Sequence, residues 1–66
     1  MNEQEKKLVI DNLVAIRSEG LTLDKKLLAL SKAHGDLKYR FTICLAKLDA
    51  FDAAITMQID SLRDEP

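Results

Sequence analysis

The sequence predicts an all-α fold: a two-helix antiparallel hairpin of coiled-coil type that completes a bundle with a partner or a second copy. Three observations predict it. Apolar residues recur at 3-4 spacing along nearly the whole chain, the pattern of helices packed along a seam. The 66 residues contain only two glycines and one proline, and that proline is last, too few breakers for a multi-stranded β domain. The clearest stop-and-restart signal, Ala33-His34-Gly35-Asp36, falls at mid-chain.

The heptad is written with a at Leu13, Gly20, Leu27, His34, Phe41, Leu48, Ile55 and Leu62. The d positions are then Val9, Ile16, Leu23, Leu30, Leu37, Cys44, Phe51 and Gln58. Only Gly20, His34 and Gln58 depart from apolar character, so an a/d seam is expected. Asn2 followed by Glu5 has the form of a capping box and opens the first helix. Gly35 is expected to take the left-handed conformation after that helix, and Asp36 to cap the next. The single domain, 1–66, therefore divides into helix 1 near 3–33, a turn at 33–36 and helix 2 near 36–63, with helices roughly 40–45 Å long at 1.5 Å per residue. A connection so short folds the helices back antiparallel. One uninterrupted helix would also keep the register, but would hold Gly35 inside it at a cost and for no gain. Gly20 is read as a glycine tolerated within helix 1 where a neighbouring chain approaches closely. The alternative is a break there, with Thr22 capping a new helix.

Composition removes several classes of function. At 7.4 kDa, with 47% apolar and 32% charged residues, the chain is neither disordered nor multidomain. One cysteine rules out an internal disulfide and suits the reducing cytoplasm. No apolar run approaches the roughly 20 residues of a membrane span, and Met1–Lys7 is polar, unlike a signal peptide. Net charge is −1, giving no bulk attraction to nucleic acid or anionic lipid. The distribution is uneven, however. From Lys25 to Lys47 six basic residues (Lys25, Lys26, Lys32, Lys38, Arg40 and Lys47) face only Asp36, whereas Asp49, Asp52, Asp60, Asp64 and Glu65 face only Arg63 beyond them. A hairpin would thus have a basic tip and acidic open ends, and an antiparallel dimer would bring the two together.

Catalysis is not expected. One histidine, one cysteine and one tyrosine supply no nucleophile–base set, and no metal or cofactor site is expected without a Glu-x-x-His pair or a glycine-rich loop. Cys44 is read as a small packing residue and His34 as a turn residue near helix-end carbonyls. A helix-turn-helix reading of 23–40 has its turn glycine at Gly35 and Lys38-Tyr39-Arg40 opening the second helix, and stands as a lesser alternative because helix 2 continues in phase to Leu62 and the chain is net acidic.

What remains is an apolar surplus. Val14, Leu21 and Leu28 form a row beside the helix 1 seam, with Ile10 nearby, and Ile43, Leu45, Met57 and Ile59 flank helix 2. Left in water they would make a patch larger than monomers usually expose. These eight residues are the expected partner-binding surface, for another helical protein or a second copy, with Lys25, Lys26, Lys32, Lys38 and Arg40 as a possible basic tip for nucleic acid.

With Gly35-Asp36 at the turn, Lys38-Tyr39 after it and the alanine-bearing stretch Lys47–Ile55, the chain resembles the small two-helix co-chaperones of type III secretion needle subunits, the YscE type. That resemblance implies a cytoplasmic hairpin paired with a larger helical-repeat chaperone, the two together holding an aggregation-prone needle subunit. Helix 1 is also similar to that of the Rop family of plasmid copy-number regulators, through Gln4-Glu5-Lys6, Ile16-Arg17-Ser18, Leu21-Thr22-Leu23 and Lys26-Leu27. That similarity implies a homodimeric four-helix bundle that binds paired RNA loops. Of the family's binding positions only Lys26 carries over; Asp11, Ala15 and Glu19 occupy the others, and two carboxylates there repel phosphate.

Overall fold

A computed structural model describes residues 1–65 and shows two long helices packed antiparallel. Helix α1 spans Glu3–Ala33 and helix α2 spans Lys38–Asp64, joined through His34 and a single 3-10 turn at Gly35–Leu37. The product is a rod of 50 × 15 × 11 Å, one layer of helices with no second layer to cover either face.

Each terminus has a local cause. Asn2, in an extended conformation, accepts the amide of Glu5 on its side-chain oxygen at 2.8 Å, and Glu3 and Glu5 place negative charge in the first turn. That satisfies one of the amides left free at a helix start and complements the helix dipole. Asn2→Ala should cost about 1 kcal/mol, visible as fraying of the first turn in amide exchange. Helix α1 ends where His34 leaves helical geometry (φ −129°, ψ 69°) while its amide still reaches the carbonyl of Leu30 at 2.9 Å.

The turn differs from its expected form in two respects. No glycine has a positive φ, so Gly35 is not a left-handed cap. Nor does Asp36 cap α2: the position before that helix is Leu37, with no side-chain hydrogen bond, and α2 starts at Lys38 instead of Asp36. The physical reason is the 3-10 turn. His34 supplies the reversal in its own backbone, and the amides of Leu37 and Lys38 bond back to the carbonyls of His34 and Gly35. The amides a cap would have served are already satisfied. Nothing lies within 4 Å of a methyl group built on Gly35. Gly35→Ala should therefore be neutral or stabilising by up to about 1 kcal/mol, through the unfolded chain; a measured loss would mean that the turn needs the glycine.

Helix α1 runs through Gly20 without a break. A methyl group there would lie 3.8 Å from the ring of Phe51, an ordinary van der Waals distance. Gly20→Ala should accordingly stabilise the hairpin by about 0.5–1 kcal/mol, read as a rise in thermal midpoint.

The seam departs from the a/d expectation. The half-buried residues of α1 are Lys6, Leu13, Gly20 and Leu27 at a, with Ile10, Arg17, Asp24 and Ser31 at e, and Val14 beside them. In α2 they are Phe41, Leu48, Ile55 and Leu62 at a, with Leu45, Asp52 and buried Ile59 at e, and Thr56 alongside. The seam is a/e in both helices. Ile59 is 0% exposed and is the one fully buried residue among those described. A hydrogen bond from Arg17 Nη1 to Thr56 Oγ1 (3.1 Å) crosses the seam, and Lys6 Nζ donates to the carbonyl of Glu65 (2.6 Å) to tie the open ends.

The candidate interaction face

An α-helix turns about 100° per residue, so a and e lie about 40° apart, with d on one side of that pair and b on the other. In antiparallel helices the two d rows then share one face of the hairpin and the two b rows share the opposite face. The d face carries Val9, Ile16, Leu23 and Leu30 from α1 and Leu37, Cys44 and Phe51 from α2, with Gln58 near the open end. All are exposed, the large apolar ones from 36% at Val9 to 50% at Leu23. Towards the tip this face opens into an apolar groove of about 450 Å³ whose walls are Leu23, Leu27, Leu30, Ile43, Cys44 and Leu48, with Lys26 and Lys47 at its rim.

The residues expected to bind a partner separate into four places. Ile10, Leu45 and Ile59 belong to the hairpin's own seam, which corrects their expected role: Ile59 has no exposed surface to offer. The cause is the shift of the seam from a/d to a/e, because all three are e residues. Val14, Leu21 and Leu28 form a row on the b face, Leu21 and Leu28 exposed and Val14 half-buried. Ile43 joins the groove on the d face. Met57 stands alone on the outer side of α2. The heptad assigns the d row to the hairpin core, yet in the structure it is an uncovered apolar surface running the length of the rod. The signal in the sequence is the surplus: apolar residues fill a and d almost throughout and stand also at e as Ile10, Leu45 and Ile59, more than one two-helix seam can cover.

The b face is of another kind. Leu21 borders a shallow depression with Gly20 and Leu48 at its floor and Asp24, Asp49 and Asp52 around it. At the tip, Lys25, Lys26, Lys32, Lys38 and Arg40 are all exposed, and Tyr39 is 78% exposed between the last two. Among the described residues the one ion pair is Lys7–Asp11 at 3.6 Å on the surface of α1, so the tip cations are not neutralised within the chain. Cys44 is a free, exposed thiol on the d row. Among the described residues no group of three or more histidine, cysteine or acidic side chains is placed to hold a metal ion, and no helix is long and apolar enough to cross a membrane. No family model, curated protein or solved structure matches the chain.

Proposed function

We propose that this chain is a non-enzymatic, protein-binding helical hairpin that receives the helices of another chain on its d face. The observation that carries the reading is the choice of seam. Arg17, Asp24, Ser31 and Asp52 are half-buried at e while leucine, isoleucine and phenylalanine stand in water at d. Rotating each helix by about 50° would bury d in place of e, a better arrangement for a hairpin on its own. Seven apolar d residues at about 1.5–3 kcal/mol each when buried make the a/e arrangement favourable once something covers them. With one fully buried side chain among the described residues, the chain also needs more core than it has alone.

In its most concrete form this is a cytoplasmic co-chaperone activity, in which the hairpin adds two helices to a helical-repeat chaperone or holds a secretion subunit. A second reading is a homodimeric regulator that binds nucleic acid through the tip. It is favoured by Tyr39 standing exposed between Lys38 and Arg40, since an aromatic beside cations is what an unpaired base stacks upon. Salt separates the two: a phosphate-binding tip loses affinity steeply as salt rises, and an apolar face does not.

The test compares two double variants. Leu23→Glu with Leu30→Glu should abolish the dependence of the thermal midpoint on protein or partner concentration. Leu21→Glu with Leu28→Glu, on the b face, should leave that dependence in place. Equal behaviour of the two pairs would refute the d face as the docking surface.

A further inference from the structure

We infer that the occupant of the d face is a second copy of this chain, laid antiparallel along it to give a four-helix bundle. This rests on the reading above and names its partner. The d face is bordered by a charged rim. The g positions border the d row on its outer side, and in chain order they are Glu5, Asn12, Glu19, Lys26, Ala33, Arg40, Lys47, Ala54 and Ser61. Their charges are segregated. In the half of the rod that contains the tip they are Lys26, Arg40 and Lys47; in the half that contains the chain ends it is Glu5, with Glu19 at mid-length. All five side chains are exposed, and among the described residues none is in an ion pair.

Such a rim is complementary to itself in one alignment only. Two copies related by a two-fold axis along the rod would set tip beside tip, three cations against three. Two copies related by a two-fold axis across the rod set each basic half against the partner's acidic half. In that alignment α1 lies over the partner's α1 and α2 over its α2, each pair antiparallel, so on the α1 rim Lys26 comes level with the Glu5-bearing half of the partner. The remaining tip charges follow the same rule, because the open ends also carry Asp60, Asp64 and Glu65.

Area agrees as well. A face 50 Å long and 15 Å wide corresponds to on the order of 750 Å² from each copy, the size of a standard stable interface. Its centre is apolar (Ile16, Leu23, Phe51, Cys44) and its border charged, as interfaces are built. The b face offers no such self-match: its apolar row lies on α1 alone, and the depression beside Leu21 is lined by three carboxylates, Asp24, Asp49 and Asp52.

Sedimentation equilibrium on the full chain at micromolar concentration reads the mass, and a spin-label distance reads the alignment. The expected mass is twice 7.4 kDa. In a Cys44→Ala, His34→Cys chain carrying one label at the tip, the expected distance approaches the 50 Å length of the rod. Labels lying close together would overturn the antiparallel alignment. A monomer at all concentrations would overturn the second copy; if the Leu23→Glu, Leu30→Glu pair then still removed binding to a different helical chain, the protein-binding reading would survive it. A dimer that this pair leaves intact would overturn both.

Discussion

Ile59→Asp is expected to abolish the folded hairpin. Ile59 is the one side chain with no exposed surface among the described residues, set at e in α2 in the open half of the rod. Truncation of a buried isoleucine to alanine costs about 2–5 kcal/mol, and a carboxylate there adds the penalty of an unpaired buried charge. A chain of this size has on the order of 3–5 kcal/mol to lose. Helicity by circular dichroism should therefore fall to that of a frayed peptide at all concentrations. Ile59→Val, which removes one methyl group, should cost about 0.5–1.5 kcal/mol. Gln58→Asp, one residue earlier and exposed at d, should leave the hairpin folded. Equal tolerance of Ile59→Asp and Gln58→Asp would contradict the a/e seam.

The second large effect is expected on the rim. Reversing the tip-half cations together, as Lys26→Glu, Arg40→Glu and Lys47→Glu, leaves a d face whose whole border is acidic. Two-fold symmetry counts each change twice, so favourable encounters become repulsive at both ends of the bundle. Exposed pairs are worth about 0.2–1 kcal/mol each, and six altered positions together weaken self-association by roughly tenfold even at the low end of that range. Raising the salt should recover part of that loss, because exposed charges are screened beyond about 10 Å at 0.1 M. The same reversal on the outer side of the tip, at Lys25 and Lys32, should have little effect on self-association, since f positions face away from the d row. Sedimentation of the two variants side by side separates a rim effect from a change in net charge.

The hairpin itself was legible because helix, turn and antiparallel return are all decided locally. Asn2 and Glu5 mark the start, and His34-Gly35 marks the reversal. The means of reversal was not legible, because a glycine can serve a left-handed cap or a 3-10 turn equally well. That choice depends on the backbone of His34, which no side-chain pattern records. The a/e seam was not legible. A heptad apolar at a and d, with Arg17, Asp24, Ser31 and Asp52 at e, points to a/d packing, and only Ile10, Leu45 and Ile59 point to the a/e arrangement that the structure adopts. Ile10, Leu45 and Ile59 looked like spare surface because d was filled first. The structure fills e first, which moves these three inward and turns Leu23, Leu30, Cys44 and Phe51 outward. The charged rim was legible only in part. The basic tip and acidic ends were visible in the sequence, but which charges border the uncovered face depends on which face is uncovered.

Cys44 gives the most direct measurement of the central claim, because it sits in the middle of the tip-half d row as a free, exposed thiol. Its rate of modification by an uncharged thiol reagent, followed across protein concentration while helicity is monitored, reports whether the d face is open and whether something closes over it. A thiol that reacts fast in the dilute, helical chain and becomes protected as the chain associates is the predicted result. Protection in the dilute helical monomer would place the d row inside the hairpin, and full reactivity in the associated form would place the contact elsewhere; either contradicts the account.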